Sequence, residues 1–154
     1  MSLNHILQIF AGFIGTLGFA VWFNIRGKRL AFASLGGFLS WYLYIILSNF
    51  ISNEAINYLL VSIAVSLYAE IVARLLKTPT TPFLTTSLVP LIPGASLYYT
   101  MSYAFGENIG MFSQKAIYTL ELASALALGI IISTTIAKIF LRPRGDFNAK
   151  GKKI

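Results

Sequence analysis

The side chains that could do chemistry in this chain of 154 residues are a few charged groups inside long apolar runs. Glu70 and Arg74 stand four residues apart, so on a helix they share one face and can form an ion pair. Glu121 is the only charged residue between Lys115 and Lys138. A carboxylate costs about 2.5–3.5 kcal/mol at the centre of a membrane span, so we expect Glu121 to face protein or water. Structural interpretations remain open for both carboxylates: a boundary ion pair for Glu70, and for Glu121 a protonated group or one that reaches the membrane interface.

Catalytic motifs are absent from the sequence. There is no cysteine, and the one histidine, His5, lies near the N-terminus, where a lone histidine is usually a solvated side chain. No Gly-x-Ser-x-Gly elbow, His-Glu-x-x-His motif or phosphate-binding loop occurs. We therefore expect no enzyme, no metal site and no cofactor.

An uncharged segment from Thr78 to Phe105 contains a Pro-x-x-Pro-Gly break formed by Pro90, Pro93 and Gly94. Proline lacks a backbone N–H and glycine tolerates a change of direction, so we expect two half-helices in place of one helix. Backbone groups that are freed inside a membrane have to be covered by protein or by water. The break is therefore either a packing kink or a binding site, and the residues alone favour neither.

The composition assigns the chain to the integral membrane proteins. Hydrophobic residues make up 56% of the sequence and charged residues 11%, with a mean hydropathy of +0.74, which is more apolar surface than a soluble domain of this length can bury. We predict an all-α fold of five transmembrane helices with the fourth broken at Pro90–Gly94, and the spans are about 6–23, 30–51, 55–76, 83–105 and 116–140. They form one transmembrane domain, residues 1–141, and a basic cytoplasmic tail follows at 142–154.

Small residues at spacings of three and four predict close helix packing on two of the spans. The fifth span has Ala125, Gly129, Ser133 and Ala137, with Glu121 at the outer end of the same face. The first span has Ala11, Gly12, Gly15 and Gly18. We expect both faces to contact other helices, within the chain or in a partner.

The basic residues predict the orientation of the chain in the membrane. Of the 12 lysines and arginines, only Lys115 falls on the side opposite to the first loop, the third loop and the tail. By the positive-inside rule the N-terminus lies outside and the C-terminus lies in the cytoplasm. The net charge of +7 is thus explained by orientation, and we expect no nucleic-acid partner.

The break then suggests how a substrate could be held. The second half-helix would begin at Pro93–Gly94 near the middle of the membrane, and a helix N-terminus can bind a carboxylate through its free N–H groups. Discontinuous helices of transporters bind anionic groups in this way. Glu70 and Glu121 could take an ammonium group or a coupling proton.

Two sequence blocks resemble the threonine/serine exporter family of the ThrE type, and within it the short subunits. The first block is Tyr68-Ala69-Glu70-Ile71 continued by Ala73-Arg74, Lys77, Pro79, Thr81 and Phe83, and the second is Pro90-Leu91-Ile92-Pro93-Gly94 with Tyr98. The early Phe23-Asn24 and Arg26-Gly27-Lys28-Arg29 segment and the stretch from Gly36 to Trp41 are also similar to that family. One departure is Thr86-Ser87, which stand where many members have Pro-Gly, so we expect the first half-helix to be less broken here.

The resemblance implies a function and a set of partners. It implies export of threonine and serine, or of dicarboxylates such as succinate, by proton-coupled antiport in the cytoplasmic membrane together with a larger transmembrane subunit. The residues that match the family's motif are Glu70, Arg74, Pro79, Thr81, Pro90, Pro93, Gly94 and Tyr98. Without Pro79 and with Glu121 added, they are the candidate pathway residues.

Two other interpretations of the chain remain open. It could form a homo-oligomeric channel or transporter from further copies of itself, or it could be a scaffold subunit that does not transport, in which the break is only a kink. Five spans cannot form two equal inverted repeats, so any such symmetry needs a partner or a second copy. In each case the lipid bilayer is a partner, and a small amino acid or carboxylate is the expected substrate of the transporters.

If Glu70 or Glu121 carries a coupling proton, the variant Glu70→Gln or Glu121→Gln should lower export and flatten its dependence on pH, because glutamine cannot be protonated in that range. Efflux of radiolabelled threonine from cells without their own exporters measures this at several external pH values, with Glu107→Gln as the control in the loop after the fourth span. Export that is unchanged at every pH in both variants would contradict the hypothesis.

Overall fold

The computed structural model describes residues 3–106 and 108–140, and this part of the chain is helical with no strand. Its helices are α1 (Leu3–Trp22), α2 (Lys28–Ser48), α3 (Glu54–Leu75), α4 (Thr81–Leu88), α5 (Gly94–Phe105) and α6 (Ile109–Phe140), with a 3₁₀ turn (Val89–Leu91) between α4 and α5. The predicted all-α fold is confirmed. The predicted tail, 142–154, lies outside the described residues.

Four of the described helices, α1, α2, α3 and α6, are long and apolar enough to cross a membrane. The fourth predicted span is divided into α4, of 8 residues, and α5, of 12 residues, each too short to cross alone. The difference between five predicted spans and four long helices is thus the predicted break itself. The last helix, with 32 residues, begins at Ile109, earlier than the predicted 116.

The break has a local cause in the two prolines. The 3₁₀ turn contains Pro90, and Ile92 has the extended backbone (ψ 123°) that a residue before proline prefers. Pro93 then has ψ 56° and precedes the first turn of α5. In α4 the helix runs through Thr86 and Ser87 without interruption, as the missing Pro-Gly predicts.

The two longest helices, α3 and α6, run side by side in the same direction. Ser62 lies against Gly129, and a Cβ atom added at Gly129 would be only 2.8 Å from the backbone oxygen of Leu59. All four small residues predicted on the packing face of α6 are buried: Ala125, Gly129, Ser133 and Ala137. Glu121, at the end of that row, is exposed in the single chain.

The small residues of α1 are used only in part. A Cβ atom at Gly12 would lie 3.4 Å from Cβ of Trp41 and 3.8 Å from Cβ of Pro90, so Gly12 lets α1 approach both α2 and the break. Gly15 and Gly18 have no atom within 4 Å of such a Cβ. Their face of α1 is thus not covered by any described residue.

The two halves of the broken span pack against different helices. The first half, α4, lies among α1, α2 and α3, whereas α5 packs mainly against α6. Thr100 is the only buried residue of α5. Since the halves diverge at the break, a space remains beside Pro90–Gly94 between α2, α3 and α6.

Gly129→Ala should destabilise the fold by roughly 1–3 kcal/mol, because its Cβ would overlap backbone and not only a movable side chain. Thermal unfolding of the purified chain in detergent measures this. Gly18→Ala is the matched control, since its Cβ meets nothing and alanine favours the helix. Equal unfolding temperatures for the two variants would show that α3 and α6 do not pack as described.

Candidate functional site

A cavity of about 310 Å³ lies beside the helix break, at the lower end of the range typical of ligand pockets. We name it the helix-break cavity; it is lined by Trp41, Glu54, Tyr58, Pro90, Ile92, Pro93, Gly94, Ala95, Ser96, Tyr99, Lys115, Tyr118 and Leu122. Most of these side chains are apolar or aromatic. One carboxylate and one ammonium group stand among them.

The carboxylate belongs to Glu54, the first residue of α3. The side chain of Asn53 caps this helix by accepting a hydrogen bond of 3.1 Å from the backbone N–H of Ile56, which fixes where α3 begins. The hydroxyl of Tyr44 donates to one carboxylate oxygen of Glu54 at 2.9 Å, and the hydroxyl of Tyr118 donates to the other. Glu54 therefore has a defined position, held from α2 and α6.

Aromatic contacts hold Tyr44, one of the two tyrosines that donate to Glu54. Tyr44 stacks on Trp41, with ring centroids 5.0 Å apart, and meets Tyr58 edge to face at 5.4 Å. Such contacts stabilise a fixed ring arrangement beyond the area that they bury. The carboxylate of Glu54 therefore lies at the cavity next to a packed group of aromatic side chains.

The positive charge belongs to Lys115, on α6. Its ammonium nitrogen lies 5.3 Å from the centroid of the Tyr118 ring, which is cation–π distance. Neither Lys115 nor Glu54 forms an ion pair within the described part of the chain. Two opposite charges therefore line one small cavity without neutralising each other.

The first turn of α5 completes the lining. Its N-cap position is Pro93, which provides no side-chain hydrogen bond to the turn, so N–H groups of this turn stay available to an acceptor. The hydroxyls of Ser96 and Thr119 are 2.7 Å apart, and those of Thr100 and Thr119 are 3.1 Å apart. These hydroxyl contacts join α5 to α6 and fix the turn at the cavity.

Three of the predicted pathway residues, Pro90, Pro93 and Gly94, line this cavity. Tyr98 is not in the lining; it is 70% exposed and its ring contacts Tyr99, which does line the cavity. The predicted residues of the break itself therefore lie at the cavity. The lining also includes Tyr99 in the place where Tyr98 was expected.

The other predicted residues lie elsewhere. Glu70 and Arg74 form the predicted ion pair, at 3.5 Å, near the opposite end of α3 from Glu54. Thr81 is exposed at the first residue of α4. Glu121 is exposed on α6, adjacent in sequence to the lining residue Leu122.

Sequence reasoning missed Glu54, Lys115 and the tyrosines. Glu54 looked like part of a polar turn and Lys115 like an exception to the positive-inside pattern. One signal was present: a charged residue in the first two turns of both α3 and α6, with tyrosines at 44, 58 and 118. Within the described residues no three His, Asp or Glu side chains form a group that could hold a metal ion.

Chemically, the helix-break cavity can bind a small molecule that carries both charges. Glu54 can accept hydrogen bonds from an ammonium group, while Lys115 and the first turn of α5 can hold a carboxylate. A free amino acid has both groups on one carbon atom. No nucleophile activated by a neighbouring base is found among the described lining residues.

Comparison with known proteins supplies the family. A family model described as "Threonine/Serine exporter, ThrE" matches residues 8–136, which include all six described helices except the ends of α1 and α6. Comparisons with curated proteins and with solved structures found no match. The match to an exporter family points to a membrane transporter rather than an enzyme. Because it covers most of the sequence, the chain belongs to the threonine/serine exporter family.

Proposed function

We propose that the chain is the small transmembrane subunit of an exporter of threonine, serine or similar small amino acids, and that the helix-break cavity binds the substrate. One observation carries the proposal: a cavity of about 310 Å³ contains a carboxylate and an ammonium group that form no ion pair with any described residue, and the first turn of a half-helix. Membership of the exporter family supports it.

The two charges would distinguish the zwitterion from other solutes. The substrate's ammonium group binds Glu54, and its carboxylate binds Lys115 and the N–H groups of the first turn of α5. The hydroxyl of Ser96, already 2.7 Å from Thr119, adds a polar contact for a hydroxylated side chain. A dicarboxylate such as succinate would bring a second negative charge towards Glu54, so repulsion disfavours it.

Proton coupling follows from the same carboxylate. When the substrate's ammonium group leaves Glu54, a proton can neutralise the carboxylate in its place, so substrate and proton compete for one group. Glu70, paired with Arg74 at 3.5 Å, and Glu121 remain candidates for a second protonation step. Thr81 and Tyr98, both exposed, would act in the pathway only through contacts made by the assembled exporter.

A larger membrane subunit is the proposed partner, and further copies of the chain are the alternative. Most of α5 is left uncovered by the described residues, and Glu121 is exposed on an otherwise apolar stretch of α6. A carboxylate that faces lipid is unfavourable, so a protein surface should meet it. Covering α5 would also close the helix-break cavity from the side.

The charge-removing variants Glu54→Gln and Lys115→Gln should each lower threonine export by about tenfold or more, since a hydrogen bond to a charged group contributes roughly 1.5–3 kcal/mol. Efflux of radiolabelled threonine measures this, with the chain alone and with its candidate larger subunit. Lys138→Gln, at the far end of α6, is the control. Export at the wild-type level by both variants would contradict the proposed binding site. Export by the chain alone would favour an assembly of further copies of the chain over one with a larger subunit.

Gly94→Leu should give a folded, membrane-inserted protein that no longer exports, because Gly94 lines the cavity and a Cβ there meets nothing within 4 Å. The new side chain would fill the cavity without overlapping the fold. Gly110→Leu, in the first turn of α6 and not among the cavity's lining residues, is the control, since its Cβ would meet only the side-chain oxygen of Asn108 at 3.9 Å. Normal export by Gly94→Leu would favour the packing kink. So would a Gly94→Leu protein that loses both its assembly and its export.

The proposed orientation places the α2–α3 loop outside and the α1–α2 loop in the cytoplasm. The chain has no cysteine, so Ser52→Cys and Lys28→Cys each introduce a single label site, both exposed. A membrane-impermeant maleimide should label Ser52→Cys in intact cells and Lys28→Cys only after lysis. The reverse pattern would invert the topology.

A further inference from the structure

A second cavity, of about 230 Å³, lies where the α1–α2 loop meets the segment between α3 and α4. We name it the loop cavity; it is lined by Phe23, Asn24, Ile25, Arg26, Arg29, Thr78, Pro79, Pro82 and Phe83. It shares no lining residue with the helix-break cavity. The proposed export function does not use it.

The charge of the loop cavity is entirely positive. Its lining has two guanidinium groups, Arg26 and Arg29, and no carboxylate. The Nε atom of Arg26 donates to the side-chain oxygen of Asn24 at 2.9 Å, which orients the guanidinium and leaves its two terminal nitrogens for another acceptor. Arginine is suited to bind phosphate through two parallel hydrogen bonds.

An uncharged hydrogen-bond donor, Thr78, is also among the lining residues of the loop cavity. The hydroxyl oxygen of Thr78 is buried and has no hydrogen-bond partner within the described part of the chain. Ser66, Ser87 and Ser133 also have buried hydroxyls without a partner, so the Thr78 hydroxyl does not define a site by itself. An oxyanion in the loop cavity would contact both arginines, and a rotation of the Thr78 side chain would bring its hydroxyl to the same anion.

The backbone around this cavity is held in unusual conformations. Asn24 (φ 57°), Gly27 (φ 64°) and Lys77 (φ 50°) are the residues with positive φ in the described chain, and all three belong to the two segments that form the loop cavity. Non-glycine residues adopt this conformation at an energetic cost, which tends to be retained at binding sites.

The position of the cavity indicates where the anion comes from. Trp22 is 88% exposed and Phe23 is 49% exposed, directly before the loop, and aromatic residues of this kind mark the level of lipid headgroups. The volume is below that of typical metabolite pockets. We propose that the loop cavity is a phosphate site that binds the headgroup of an anionic phospholipid at the membrane surface.

Native mass spectrometry of the purified full chain in mild detergent tests this, with phosphatidylglycerol, phosphatidylcholine and diacylglycerol titrated separately. Wild-type protein should bind phosphatidylglycerol best and diacylglycerol least. Arg26→Gln combined with Arg29→Gln should weaken phosphatidylglycerol binding by about tenfold or more, since charged hydrogen bonds are lost. Lys138→Gln removes a charge on α6 that does not line the loop cavity and should change binding less than about twofold.

Two further variants keep the test decisive if the double variant unfolds early. Arg26→Lys combined with Arg29→Lys keeps the charge but removes the paired donors, and Thr78→Val removes the hydroxyl; both should weaken binding while Lys138→Gln does not. Binding of inorganic phosphate, measured by ³¹P NMR, tests whether the ligand is free phosphate and not a lipid headgroup. If phosphate binding depends on the two arginines and lipid binding does not, the site is assigned to free phosphate. The proposal is overturned if neither lipid nor phosphate binding depends on Arg26, Arg29 and Thr78.

Discussion

A membrane helix can be interrupted only where other parts of the protein cover the backbone groups that the interruption frees, and this constraint organises the chain. The break at Val89–Gly94 is covered on one side by α1 and α2. Leu91 is fully buried there, and Gly12 lets α1 approach Pro90. On its other side the break borders the helix-break cavity, where Glu54 and Lys115 supply polar groups. The same interruption that needs cover therefore also borders a concave surface that carries polar groups.

Most of the hydroxyl groups in the described interior serve the helices that carry them. Thr16 donates to the backbone oxygen of Gly12 at 2.8 Å, Ser40 to Gly37 at 2.8 Å, and Thr86 to Pro82 at 2.8 Å. Such bonds satisfy a side chain in an apolar surrounding without any ligand. Thr100 and Thr119 likewise donate to the backbone oxygens of Ser96 and Lys115, but they and Ser96 also have hydroxyl contacts between α5 and α6 at the edge of the helix-break cavity. The number of hydroxyl groups therefore does not identify a pathway. Hydroxyl contacts between α5 and α6 at the edge of the cavity are a more specific indication.

The sequence predicts the helices and the break because both depend on local chemistry. Apolar length sets the spans, and the missing N–H of Pro90 and Pro93 sets the interruption. It does not predict Glu54, since the partners of that carboxylate lie 10 and 64 residues away, on α2 and α6. It predicts Tyr98 and not the lining residue Tyr99, because the rotation of α5 depends on how Pro93 starts the helix and on how Thr100 packs against Thr119. The pair Glu70 and Arg74 was predictable because helical spacing alone brings the two side chains together.

The central claim, that the helix-break cavity binds a free amino acid by both of its charges, can be measured directly. The chain has two tryptophans, so Trp22→Phe leaves Trp41 as this chain's reporter in the cavity wall. The signal is the fluorescence change, in the purified assembly that supports export, that the further substitution Trp41→Phe removes. We predict a saturable signal with threonine and about tenfold or weaker binding of both N-acetylthreonine and threoninamide, each of which lacks one charge. Equal binding of all three compounds, or a threonine signal that Glu54→Gln and Lys115→Gln leave unchanged, would contradict the account.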